Sequence, residues 1–343
     1  MILYVLRRFV NYLILTCVAT TFSYMAASTF LNPAKKYQGV NPPVPEESIA
    51  ALMRKYGVYR EDPVALRTWN WIENIVTAPF HEKLGMSLSN KWVITEMLGK
   101  PENALTFWQI EWLGRAGVSL RLLLIGSLLG AILGVILGVW GAVRQYKFSD
   151  QVISYASFIL ISTPTFVGGL LLMILATHLN RLLGFQLIRF SGAYSPGYEG
   201  WGAIWDLGIH LLLPTIALMM FGAAGYSRYQ RAVMLDVLGS DFIRTARAKG
   251  ATRTRALIKH GVRVALIPMS TYFAYQFGTL IAGSTFLEVI FSWAGMGQYG
   301  IQAVQTSDIN AMAGVVCFAS VLVLFASTLS EILYAALDPR VRM

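Results

Sequence analysis

Six apolar runs, each long enough to cross a bilayer, restrict this 343-residue chain more than any other feature it has. A hydrocarbon core of about 30 Å takes about 20 residues of helix, and lipid offers no partner to an unpaired backbone group. The runs fall at about 9–30, 117–143, 152–179, 207–226, 264–286 and 309–337. Only 13% of residues are charged and 55% are hydrophobic, against about a quarter charged in a soluble domain. The expected fold is therefore an all-α integral membrane protein of about six transmembrane helices.

Arg7 and Arg8 precede the first run. A signal peptide would also begin this way, but the apolar stretch exceeds a signal core and lacks an A-x-A site, so an uncleaved helix is expected. With the N-terminus inside, the cytoplasmic segments 1–8, 144–151, 227–263 and 338–343 carry 15 Lys and Arg against four Asp. The outer segments carry 13 basic against 13 acidic residues, with Glu331 left inside the last span. That asymmetry places both termini in the cytoplasm of a multi-pass protein of the cell membrane, and it accounts for the net charge of +10 without nucleic acid. Cys17 and Cys317 both sit in apolar runs and are expected to be buried, inert thiols.

The organisation expected is an N-terminal helix (1–30), an extracytoplasmic cap (31–114), a five-helix core (115–337) and a short tail (338–343). Asn41-Pro42-Pro43-Val44-Pro45 stiffens the start of the cap, and a short helix is expected near 46–56. Trp69, Trp71, Trp92, Trp108 and Trp112 would meet a partner or sit at the headgroups.

Gly126, Gly130, Gly134 and Gly138 recur every four residues and would let another helix approach closely. Pro164 and Pro214 each free a carbonyl within or near a span, which suits kinks beside a wet path. Arg121, Asp206, Glu288 and Glu331 are the ionisable residues close to spans. The first two are expected to snorkel, Glu331 to pair with a basic loop, and Glu288 to act in an outer gate or to sit at the interface. Gly117-Val118-Ser119 resembles part of a nucleophile motif, but His81, His178, His210 and His260 follow no triad or metal spacing. No catalytic or metal residues are assigned. A self-contained secondary transporter would need inverted halves or an acidic chain through the membrane, and neither is visible.

The most informative stretch is cytoplasmic, within about 238–256. Ser240 or Asp241 can cap a short helix, and Gly250 can end it before the chain turns toward His260 and Pro268. Asp241-Phe242-Ile243-Arg244-Thr245-Ala246-Arg247-Ala248-Lys249-Gly250 resembles the cytoplasmic loop signature of binding-protein-dependent ABC import permeases of the dipeptide, oligopeptide and nickel branch. Gly85-Met86-Ser87, Ser162-Thr163-Pro164-Thr165-Phe166, His210-Leu211-Leu212-Leu213-Pro214, the stretch from Glu288 through Trp293, Gly295 and Gly297, and the ending Leu337-Asp338-Pro339-Arg340 resemble the same branch in order. Arg244, Thr245 and Ala246 replace the broader Glu-Ala-Ala start, Ala294 stands where proline is usual, and about twenty residues near 99–112 look inserted.

This resemblance implies the permease fold of ABC importers (MetI-like), with an extracytoplasmic insertion after the first helix. It implies that the short helix rests in a groove of an ATPase subunit, with Arg244, Arg247 and Lys249 pairing with acidic groups at its rim. Expected partners are a second homologous permease, two ABC ATPase subunits or one fused pair, a solute-binding protein outside, membrane lipid, and a di- or oligopeptide cargo; a modified peptide or nickel chelate is the alternative. The chain has no G-x-x-x-x-G-K-[ST] pattern, so no cofactor is expected in it, and ATP and Mg would reside in the partner ATPases.

Overall fold

The computed structural model describes residues 2–77, 86, 90, 91, 93, 97, 114–193, 195, 197 and 201–337. Trp92, Trp108, Trp112, His81, most of the segment 78–113 and the tail 338–343 lie outside these. Every regular element among the described residues is helical. Helix α1 (Ile2–Phe30) is followed by a 3-10 turn (Pro33–Tyr37) and the cap helices α2 (Glu46–Lys55) and α3 (Val64–Thr77). The core runs through α4 (Gly114–Val143), α5 (Phe148–Ser162), α6 (Thr165–Leu183), α7 (Trp201–Leu238), α8 (Asp241–Ala248), α9 (Arg263–Ile290), α10 (Met296–Gln305) and α11 (Ile309–Leu337).

Six helices among the described residues are long and apolar enough to cross a membrane. They match the six runs with one correction, because the third run is two helices. Thr163 is extended (φ −94°, ψ 126°) and Pro164 opens α6 without a hydrogen-bonded cap. A proline disfavours helical backbone in the residue before it, so Ser162-Thr163-Pro164 breaks the run and does not merely kink it. Pro214, by contrast, lies inside the unbroken α7.

Among the described residues, helices α4 and α7 form the most extensive pairing. The glycine stripe explains it: a Cβ on Gly126 would meet Leu218 Cδ2 at 2.7 Å, and one on Gly130 the Met219 carbonyl at 3.1 Å. On Gly134 it would meet Tyr226 Cβ at 2.4 Å, and on Gly138 the Ser227 carbonyl at 2.6 Å. Most of these obstacles are backbone or Cβ atoms that cannot swing aside, so the two axes can lie this close only without side chains.

Helix α1 packs on α11, and α3 packs against the C-terminal part of α1. Tyr24 stacks on Trp71 with ring centroids 4.4 Å apart, and both are buried. Trp69, two residues away on α3, is two-thirds exposed. Glu331 pairs with Arg8 of α1 (3.6 Å) and accepts from the Tyr12 hydroxyl. One expectation needs correction here. Cys17 is exposed on α1 and not buried, because the apolar run puts one of its faces outside the chain's own core.

Candidate functional site

The first site is built on α8. Ser240 occupies the N-cap position, but its hydroxyl donates backward to the Val237 carbonyl and does not cap the helix. At the other end Gly250 has φ +87°, a left-handed conformation that a side chain would strain. Among the eight residues of α8 only Ile243 is buried. It belongs to one buried apolar cluster with Ala142 of α4, Met234 and Val237 of α7 and Ala265 of α9. One apolar side chain, its burial contributing about 1.5–3 kcal/mol, thus joins the short helix to three long ones.

The other side chains of this segment face outward. Asp241, Arg244, Thr245, Arg247, Ala248, Lys249 and Gly250 are exposed and Ala246 is half-buried. Arg244 lies 3.6 Å from Asp241, and Thr245 donates to the Asp241 carbonyl. Between Gly250 and α9 the chain makes a turn of α-helix (Arg253–Ala256) and then a π-helix (Leu257–Val262). The wider π turn brings Gly261 against Met234 and Ile243, where a Cβ would lie 3.2 and 3.5 Å from their side-chain ends. The sequence signature contains Ile243 without giving it a role, and nothing in the sequence marked the π-helix.

Beside this site, Asp150 pins α5 to α7. Its carboxylate accepts from Arg231 Nε (2.6 Å) and a terminal nitrogen (2.7 Å), and from the Tyr146 amide (2.9 Å). The Arg231 hydrogen bonds hold the Asp150 carboxyl below the ordinary carboxylate range, against the opposing effect of burial.

A second cluster lies at the far end of α9 and gathers the four residues Glu288, Trp293, Gly295 and Gly297. Glu288 is 1% exposed. Its carboxylate accepts from Ser119 Oγ of α4 (2.5 Å) and from the amides of Gly297 (2.8 Å) and Gln298 (3.2 Å) in the first turn of α10. Ser119 in turn accepts from the Met296 amide (2.8 Å). The first turn of α10 therefore has its free N–H groups satisfied by side chains from two other helices, where a negative group is also favoured by the helix dipole. Both glycines are required by the packing: a Cβ on Gly295 would lie 2.5 Å from Glu288 Oε2, and one on Gly297 2.6 Å from Thr285 Cα. Trp293 is fully buried and its amide donates to the Glu288 carbonyl (2.7 Å).

Ser119 is thus committed as donor to Glu288 and acceptor from Met296, which disposes of the nucleophile reading of Gly117-Val118-Ser119. Sequence missed its role because a lone serine near a helix start carries no marker of a partner 169 residues away. Asp206 also departs from expectation. It does not snorkel but is 1% exposed, ion-paired with Arg189 and accepting from the Ser195 amide, with His210 nearby at 3.6 Å. These bonds tie the α6–α7 connection to α7, and Gly192 ties it to the Phe291 carbonyl at the end of α9 (2.8 Å). Arg121 is half-buried near the start of α4.

Residues 130–343 match the family described as the binding-protein-dependent transport system inner membrane component. The chain is 43% identical, over 342 residues and 99% of both chains, to the oligopeptide transport system permease protein OppB of Mycobacterium tuberculosis. It is 31% identical to the oligopeptide transport system permease protein AppB of Bacillus subtilis over 303 residues, 88% of this chain and 87% of that one. It is 28% identical to the dipeptide transport system permease protein DppB of Escherichia coli over 331 residues, 89% of this chain and 87% of that one.

Proposed function

We propose that this chain, which belongs to the binding-protein-dependent transport system inner membrane components, is the pore-forming permease subunit of an ATP-driven importer that carries di- or oligopeptides into the cell. Its partners are a second, homologous permease, two ATPase subunits or one fused pair that bind ATP and Mg, and an extracytoplasmic solute-binding protein. Both termini face the cytoplasm.

The observation that carries this mechanism is the construction of α8. A helix held to three spans by Ile243, with its charged residues outward and a glycine turn behind it, is suited to sit in a groove of another subunit. When two ATPases close on nucleotide, a push on α8 passes through Ile243 into α4, α7 and α9 together. At the opposite end of α9 the Glu288 cluster fixes α10 to α4, so displacement of α9 reaches the outer face. There we assign Glu288, Trp293, Gly295 and Gly297 to the outer gate and to docking of the binding protein. A zwitterionic peptide cannot cross lipid unpaired, so its route is a wet path between the two permeases.

The test is assembly. Reversing charge at Arg244 and Arg247 is expected to cut co-purification of the ATPases at least severalfold while the permease pair stays intact. Undiminished co-purification would remove α8 from the interface.

A further inference from the structure

A cleft of about 510 Å³ opens between α5, α6, α7 and α9, and neither site described above uses it. This volume lies in the range of about 300–1,000 Å³ typical of sites for small molecules. Its walls are unlike an ordinary lipid-facing surface. Thr163, Arg228, Tyr229, Tyr272, Tyr275 and Gln276 all line it. Tyr229 and Tyr272 stack face to face with centroids 4.3 Å apart, and Tyr275 extends the aromatic wall. A Cβ on Gly225 would lie 3.0 Å from the Gln276 amide nitrogen and 3.2 Å from the Tyr272 hydroxyl, so this glycine keeps room for polar groups against α7.

Two independent features point to a ligand here. The first is the break between α5 and α6, whose residues Ile161, Thr163 and Thr165 form one rim. Non-helical backbone inside an apolar run is tolerated only when buried in protein or lining a water-filled space. The second is Arg228. Its guanidinium lies 4.2 Å from the centre of the Phe158 ring, and it takes part in none of the ion pairs formed among the described residues. A cation held over an aromatic face beside hydroxyl and amide groups matches a carboxylate joined to peptide groups.

We propose that this cleft is a transient substrate site on the transport path. Arg228 receives the C-terminal carboxylate of the peptide, Gln276 and the tyrosine hydroxyls receive its backbone, and the Tyr229–Tyr272 faces accept varied side chains. This rests on the peptide-importer reading given above. Charge matching selects such an occupant over lipid, because acyl chains offer no acceptor to Arg228 and no partner to Gln276 or the tyrosine hydroxyls.

The experiment uses the full complex with its binding protein in proteoliposomes. Uptake is compared for one peptide with a free and with an amidated C-terminus, each saturating the binding protein. The free-to-amidated uptake ratio is expected to fall about tenfold in Arg228→Gln, the loss of one charge-assisted contact, and to recover in Arg228→Lys. An unchanged ratio, or failure of Arg228→Gln alone to co-purify with the second permease, would overturn the cleft as a substrate site. As a measurement free of variants, a photoreactive peptide carried by the wild-type complex is expected to cross-link within 228–229 or 272–276; labelling confined to other segments overturns the proposal. If the wild-type complex carries neither peptide, the importer reading itself fails, an outcome distinct from all of these.

Discussion

Glu288→Gln isolates the outer cluster with almost no change in volume. The remaining amide oxygen can still accept from Gly297 and Gln298, the two arms on Oε2. Its NH2 group then faces Ser119, whose oxygen is already taken by the Met296 amide and whose proton loses its acceptor. One charge-assisted bond in a nearly dry site is lost, which costs about 1.5–3 kcal/mol and favours opening of the first turn of α10 by roughly 10- to 100-fold. Amide hydrogen exchange on the purified complex reads this directly. Gly297 and Gln298 should lose protection by about that factor, while amides of α8 stay as in the wild type. Unchanged protection at Gly297 and Gln298 would refute the claim that Glu288 holds α10. In the same variant, stimulation of ATP hydrolysis by the binding protein should fall more than the basal rate. Equal loss of both would leave the structural role standing but remove the docking role.

The other sites yield sharper contrasts between variants. Gly134→Val should destabilise the chain by at least about 2–3 kcal/mol, since the α4 and α7 axes must separate, whereas Gly208→Ala, with open space at its Cβ, should leave thermal stability unchanged; similar melting of the two would refute close packing by the stripe. At Gly250 nothing lies within 4 Å of a Cβ, so only its φ of +87° resists substitution; Gly250→Val should abolish uptake without loss of insertion, and Gly250→Asn should retain much of it, because asparagine tolerates left-handed backbone. Asp150→Asn should cost about 2–3 kcal/mol, less than a fully buried pair, because Arg231 keeps part of its surface in solvent. The sign of the pH effect follows from the lowered carboxyl. Its contribution is complete above the ordinary aspartate range and is lost only as pH falls through the depressed value. Thermal stability of the wild type relative to Asp150→Asn should therefore be flat from neutral pH to about 5 and decline below about 4; a decline near neutrality would count against the ion pair.

The spans and the short basic helix were legible in the order of residues, because each follows from a local rule. Lipid demands about twenty apolar residues per crossing, and a glycine after a short helix marks its end. Even the glycine stripe announced that some helix would come close. Which helix it is, and that Ser119 meets Glu288, that Asp206 is buried with Arg189, that Glu331 turns to Arg8, depended on residues far apart in the chain. A one-dimensional pattern fixes how far a residue lies along its own helix, but the angle and partner of that helix are set by packing among all the others. For the same reason, Ile243 was one apolar residue in a basic stretch until the fold set Ala142, Met234, Val237 and Ala265 around it. The elements of this permease came from local chemistry, and their mechanical connection from the way α4, α7 and α9 converge.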